Sequence, residues 1–249
     1  MNNHSQQEQA LQNCEAENIH QIGYIQPHGV LLVLSSDSQH IVLQASENLA
    51  DFIDLPIDGA YGKPLASLIG ITEAGQVDQL IQDVGFQRVK IGAINITRRQ
   101  ARLEIKARVF ASNGQFVLEL MQDEEANQAN KISDLSLLMQ QLLLNSESET
   151  DIYRYFDQVA STVRTLTAFD RVMVYRFDAN WDGEVIAESR VESAISYKGT
   201  HFPASDIPPQ ARRLYTFNLV RHIVDIDAIA VLVVPTLNPA TRFDLFSAA

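Results

Sequence analysis

The chain of 249 residues contains a single cysteine, Cys14. A lone thiol cannot form an internal disulfide, and it cannot supply a metal site by itself. The composition, 46% hydrophobic and 20% charged, is typical of globular proteins, and such a chain can bury a core without disulfide or metal staples. For the thiol itself, packing, redox chemistry and covalent attachment remain open. Its polar neighbours argue against burial in a core, and the adjacent Glu15 does not activate it.

The net charge is −12, from 19 Lys and Arg residues against 31 Asp and Glu residues. A chain this acidic is not expected to bind nucleic acid or an anionic membrane surface. Residues 1–9 lack the basic and apolar parts of a secretion signal, and no apolar run reaches the length of a membrane span. With one cysteine and no such signal, the sequence predicts a cytoplasmic protein.

The first half of the chain has the pattern of a compact α+β domain. Residues 47–85 mix short helical patterns with Gly and Pro breakers. Asn113-Gly114 is a strong hairpin signal between two apolar segments. The segments with the composition or the alternation of β-strands are residues 29–34, 41–45, 103–109 and 116–121.

A second α+β domain is predicted after an acidic, polar segment at residues 123–131. The predicted elements are helices at 132–144 and 151–166, and strands at 171–177 and 183–189 joined by a turn at 180–183. The apolar stripes of the two helices would either pair in a homodimer or face the core of their own domain. The chain shows no nucleophile–base spacing, no Gly-rich phosphate loop and no metal-ligand cluster, so no enzymatic activity is predicted.

Two groups of motifs restrict the possible functions of the chain. Near the N-terminus, Cys14 is followed by the segment 25–29, which reads Ile-Gln-Pro-His-Gly. The second group consists of residues 169–177, 183–188, 202–208 and 210–215. Taken singly, these motifs are a turn before a strand and a set of core aromatics such as Tyr175 and Tyr197. In this order and spacing, they are similar to the bacterial phytochromes, which are light sensors that carry a linear tetrapyrrole.

The resemblance extends from about Cys14 to about Pro239 and implies an α+β fold with a PAS domain followed by a GAF domain. Each domain would be an antiparallel sheet with flanking helices. A figure-of-eight knot is also implied, in which the N-terminal arm passes through a GAF loop and Ile25 lies in the crossing. Residues 240–249 do not match the family segment that carries a pocket histidine and a second propionate-binding arginine, so the GAF domain is expected to be incomplete at its C-terminal end. The expected organisation is an arm at 1–20, a PAS domain at 21–123, a linker with the first GAF helix at 124–150 and a GAF domain at 151–249.

The same resemblance implies that the chain binds biliverdin. Cys14 would form a thioether with a vinyl group, and the backbone carbonyl of Asp206 would accept the pyrrole N–H groups. Ile207 and Pro208 would stack over the central rings. Four further residues would form the wall around the D ring, and two would lie near a propionate. The complete set of implied site residues is Cys14, Ile25, Met173, Tyr175, Tyr197, Phe202, Asp206, Ile207, Pro208, Tyr215 and Arg221.

The function implied by the resemblance is that of a red/far-red light-sensing input module, which signals by isomerisation of a bilin double bond. In relatives the signal reaches a histidine kinase domain, and this chain itself is expected to catalyse nothing. The alternative is a PAS-GAF remnant or fragment without photoactivity, which serves as a dimerisation or interaction scaffold. The retained cysteine and aspartate favour the first alternative, and the missing pocket segment favours the second.

Overall fold

The computed structural model describes residues 23–83, 89–99, 101–121, 151–217 and 223–239. These residues form strands β1 (Tyr24–Ile25), β2 (Gly29–Leu34), β3 (Val42–Ser46), β4 (Val89–Arg98), β5 (Ala101–Ser112), β6 (Gln115–Met121), β7 (Arg171–Phe177), β8 (Gly183–Arg190), β9 (His201–Phe202) and β10 (Val231–Val234). The α-helices are α1 (Ala50–Ile53), α2 (Leu65–Ile69), α3 (Ile71–Asp83), α4 (Ile152–Thr167) and α5 (Pro209–Phe217). The chain divides into two compact units. The described residues of the first are 23–121 and 210–239, with the gaps given above, and those of the second are 151–209.

The first unit contains an antiparallel sheet with the strand order β1-β10-β3-β2-β6-β5-β4. Helices α1, α2 and α3 cover one face, where Phe52, Leu65 and Val77 pack against the sheet residues Leu32 and Leu118. The opposite face carries a smaller apolar cluster that consists of Leu31, Val33, Phe110, Val117 and Val233. Strand β2 is therefore buried on both faces, which explains why its sequence is a continuous apolar run rather than an alternation.

The hairpin predicted around Asn113-Gly114 is confirmed. Asn113 and Gly114 have φ angles of 50° and 75°, as a turn with two left-handed residues requires. Strand β4 was not predicted, because Gly92 and Asn95 interrupt its apolar pattern. In the structure Leu80 of α3 packs closely on this glycine, since a Cβ at Gly92 would lie 2.8 Å from Cδ2 of Leu80.

Strand β10 joins the first sheet although it lies more than 100 residues after β6 in the chain. It pairs with β1, where Ile25 lies opposite Val231, and with β3 on its other side. The hydroxyl of Tyr61 donates to the carbonyl of Val234 at 2.9 Å. The side-chain amide of Gln26 donates to the carbonyl of Asp225 at 2.9 Å. The strand is thus held by both neighbouring strands and by Tyr61, and Gln26 holds the segment that precedes it. Whether the backbone forms a knot stays a prediction.

The second unit is a three-stranded antiparallel sheet, in the order β7-β8-β9, with α4 packed on β7 and β8. The predicted helix at 151–166 is confirmed, and Asp151 is its N-cap, since its carboxylate accepts from the backbone N–H of Tyr153 at 3.0 Å. The predicted strands and the turn between them are confirmed as well. The predicted helix at 132–144 lies outside the described residues, so the choice between dimer and core packing for its apolar stripe stays open.

Candidate functional site

Strand β7 presents two different faces. On one face, the guanidinium of Arg176 reaches α4, where it donates to the hydroxyl of Tyr153 at 3.2 Å. Because side chains alternate along a strand, Met173, Tyr175 and Phe177 lie on the other face, away from α4. This second face of the sheet carries most of the site residues that the sequence predicts in this unit.

The structure brings three of the predicted site residues together on that face. The ring of Phe202 lies 6.0 Å from that of Tyr175 and 6.2 Å from that of Tyr197, measured between centroids. Phe177 extends the group, because its ring meets Tyr175 edge-on at 5.2 Å. We call Tyr175, Phe177, Tyr197 and Phe202 the aromatic wall. Phe177 was not predicted, although its alternation with Tyr175 along β7 was a signal for it.

Gly183 makes this arrangement possible. It starts β8 and lies in register between Phe177 on β7 and Phe202 on β9. The Tyr175 ring lies across it, and a Cβ on Gly183 would overlap the Oη, Cζ and Cε1 atoms of that ring. Only a glycine at this position therefore leaves room for the tyrosine. The sequence analysis included Gly183 in a motif without recognising this role.

Asp206 lies in a 3₁₀ turn, Ala204–Asp206, that follows directly after β9. The carboxylate of Asp182 holds this turn, because it accepts from the backbone N–H of Ala204 at 2.8 Å. Asp206 itself is exposed, and Ile207 and Pro208 beside it are half-buried. Asp182 was also missed, since an aspartate before a glycine is read as part of a turn and nothing local reveals its bond to residue 204.

An ion-pair cluster lies at the far end of β8 and consists of Glu188, Arg171, Ser196 and Tyr197. The Glu188 side chain is only 2% exposed and lies 3.2 Å from Nε of Arg171. It accepts from the Ser196 hydroxyl at 2.6 Å and from the backbone N–H of Tyr197 at 3.2 Å. Burial by itself raises the pKa of Glu188, but the hydrogen bonds from Ser196 and Tyr197 and the charge of Arg171 outweigh it and hold the pKa below its ordinary value.

The other predicted site residues are distributed as follows. Met173 is 43% exposed on the wall side of β7. Tyr215 is on α5 and Ile25 on β1, and both belong to the first unit. Cys14 and Arg221 lie outside the described residues. Within the described part of the chain there is no group of three or more His, Cys, Asp or Glu residues that would hold a metal ion, and no helix long and apolar enough to cross a membrane.

Comparisons with known proteins place this geometry in a family. The family profile for the PAS fold matches residues 14–122. The cyanobacterial phytochrome B of Nostoc sp. is 34% identical over 232 residues, which are 92% of this chain and 30% of that protein. The bacteriophytochrome of Xanthomonas campestris pv. campestris is 37% identical over 235 residues, which are 92% of this chain and 35% of that protein. The chain thus spans about a third of the length of these curated relatives.

Solved structures agree with the sequence comparison. The chromophore-binding domain of a Stigmatella aurantiaca bacteriophytochrome in the Pr state is 32% identical, with a TM-score of 0.82 over 95% of this chain and 77% of that chain. The chromophore-binding domain of an unusual R. palustris bacteriophytochrome is 30% identical, with a TM-score of 0.80 over 94% of this chain and 75% of that chain. The fold is therefore that of the phytochrome PAS-GAF region, as the sequence predicts. Identity of this order over more than nine-tenths of the chain, together with the shared fold, shows that the chain belongs to the bacterial phytochrome family.

Proposed function

We propose that the chain binds biliverdin on the wall side of the β7-β8-β9 sheet and serves as a red/far-red light-sensing input module. One observation carries the proposal: three aromatic rings predicted to surround the chromophore are grouped on one face, and the exposed Asp206 follows four residues after Phe202. The family supports it, since the solved neighbours are chromophore-binding domains by name.

The residues present fit a linear tetrapyrrole. Such a molecule is flat and largely apolar, and its protonated form is a cation, so it requires an apolar wall with fixed acceptors nearby. The aromatic wall supplies ring faces that carry partial negative charge. Asp206 supplies a carboxylate and a backbone carbonyl, and the half-buried Ile207 and Pro208 extend the apolar surface from the same turn. When bound, the chromophore would supply light absorption and the double bond that isomerises.

The roles proposed for the individual residues are those that the family resemblance implies. Phe202, Tyr175 and Tyr197 confine the rotating ring, and Asp206 accepts hydrogen bonds from the pyrrole N–H groups. Cys14 forms the covalent link by addition of its thiol to a vinyl group. In that addition a C–S bond forms and the thiol proton passes to the other vinyl carbon, so no oxidant or reductant is consumed. The resemblance also implies roles for Met173, Tyr215, Arg221 and Ile25, and these stay predictions.

The test is to mix the purified chain with biliverdin, record the visible spectrum and look for zinc-dependent fluorescence on a denaturing gel. A far-red band with a covalent adduct is expected for the native chain, and Cys14→Ala should lose the adduct. Phe202→Ala should weaken binding, whereas the matched control Phe169→Ala should not, because Phe169 is an exposed aromatic of the same unit outside the wall. If the folded native chain gives only the spectrum of free biliverdin, the proposal is refuted and the scaffold alternative is favoured.

A further inference from the structure

The Glu188 cluster is connected to the aromatic wall. The guanidinium of Arg171 lies over the ring of Tyr197, with 4.4 Å between Cζ and the ring centroid. The Tyr197 ring in turn meets Phe202, which meets Tyr175. A continuous series of contacts therefore runs from a buried carboxylate to the wall itself.

The same cluster holds the backbone of the loop 191–199, which carries Tyr197. Arg171 donates to the carbonyl of Ile195, and Arg190 donates to the carbonyl of Ala194 at 2.6 Å. Glu188 joins the two arginines, since Nε of Arg190 lies 3.7 Å from its second carboxylate oxygen. The loop is thus fixed at several successive carbonyl and N–H groups by side chains from β7 and β8.

A carboxylate with a 2% exposed side chain is costly unless its charge is compensated and its lone pairs are hydrogen-bonded. Glu188 contacts two groups of partners, the arginines of the sheet and the loop 191–199. A planar guanidinium is also needed at Arg171, because it must face the carboxylate and stack on a ring at the same time. The cluster is therefore built to orient the loop and the ring it carries.

We propose that Glu188 and Arg171 are positioning residues that hold the ring of Tyr197 against Phe202, and so set the shape of the face that receives the chromophore. This inference rests on the proposed function. It adds two residues that do not touch the chromophore but determine how tightly the wall encloses the rotating ring. Loosening the cluster should therefore change how the chromophore behaves after light absorption, beyond any change in folding.

Two variants test the proposal in the full chain. Glu188→Gln keeps the side-chain volume but loses the charge, and Arg171→Lys keeps the charge but loses the planar stack. Glu184→Gln is the matched control, because Glu184 lies on the same strand and pairs at 2.6 Å with Arg176 on the α4 face. Without biliverdin, the backbone amide of Tyr197 should exchange about tenfold faster in Glu188→Gln than in the native chain, as expected from the loss of about 1.4 kcal/mol of hydrogen bonding to a charged group.

With biliverdin bound, both variants should change the rate of thermal reversion after illumination by about threefold or more, and the control should not. Unchanged exchange at Tyr197 overturns the proposal. Faster exchange with native spectra and native reversion also overturns it, because Glu188 would then support the fold only. If the native chain forms no far-red band, the proposed function fails, and the role of the cluster toward a chromophore fails with it. A band in the native chain with indistinguishable variants refutes the positioning role alone.

Discussion

Replacement of Gly183 by alanine is expected to displace the Tyr175 ring from the aromatic wall. The added Cβ would overlap three atoms at the outer end of that ring, so the ring must move or the strands must separate. The neighbouring positions offer little room, because Gly183 is buried and faces Phe177 and Phe202 in register. A clash of one methyl group with a packed ring costs about 1–3 kcal/mol.

That cost can be assigned to the ring by a double-mutant cycle. Tyr175→Phe removes Oη but leaves Cζ and Cε1 in place, so Gly183→Ala should remain destabilising by about 1–3 kcal/mol in this background. Tyr175→Ala removes the ring, and in that background Gly183→Ala should be close to neutral. The predicted coupling between Gly183 and Tyr175 therefore equals most of the single-mutant effect.

The assay uses the only tryptophan of the chain, Trp181. It lies in the turn before Gly183, and its ring is 5.9 Å from that of Phe177. Its emission during denaturant unfolding reports on the second unit, and its quenching by added biliverdin measures affinity, which should fall about 5- to 150-fold in Gly183→Ala if the wall binds the chromophore. Equal losses of stability in the Tyr175→Ala and native backgrounds would refute the steric explanation.

Three further outcomes are expected. Asp151→Ala should cost about 0.5–2 kcal/mol of stability in the second unit, seen as a lower denaturant midpoint of Trp181 emission, because α4 loses its N-cap; an unchanged midpoint would contradict this. Tyr61→Phe should cost about 0.5–1.5 kcal/mol and speed amide exchange in β10, because the bond to the Val234 carbonyl is lost; exchange that is unaltered in β10 would exclude this anchor. The pKa of Glu188 is lowered from its ordinary value of 4.5, so the ionised carboxylate should stabilise the loop 191–199 fully above that pH. This stabilisation should be lost as the pH falls through the lower pKa of the folded state. Amide exchange at 196–198, corrected for its intrinsic pH dependence, should therefore rise on acidification in the native chain but not in Glu188→Gln.

Several elements could be predicted because their signals are local. Asn113-Gly114 favours a hairpin turn through its own backbone preferences, and the apolar stripe of residues 151–166 predicts helix α4 through its period. Strand β4 could not be predicted in this way. Gly92 weakens its intrinsic strand preference, and the close approach of Leu80 to this position comes from a different element.

In the candidate site, too, some residues could be predicted from local motifs and others depend on contacts between distant parts of the chain. Three residues of the aromatic wall, Tyr175, Tyr197 and Phe202, were predicted from motif order and spacing, since a family resemblance preserves which residues line a surface. Gly183 and Glu188 were not recognised as site-forming, because their roles depend on the Tyr175 ring and on the loop 191–199. Those contacts depend on the strand register. Strand β8 has one extra residue opposite β7, at Ile186, and no local sequence pattern predicts this bulge.

The amino-acid sequence was sufficient to predict the α+β fold class, helix α4, the hairpin turn at Asn113-Gly114 and the family to which the chain belongs. Hydrophobic period, capping and turn preferences act between residues that are close in the sequence, so they can be recognised from the sequence alone. The position of β10 in the first sheet, the glycine beneath Tyr175 and the buried carboxylate behind Tyr197 emerged from three-dimensional packing. Tyr61 and Val234 are 173 residues apart, and a contact of that kind gains free energy only after the chain has folded, so it leaves no periodic trace in the sequence.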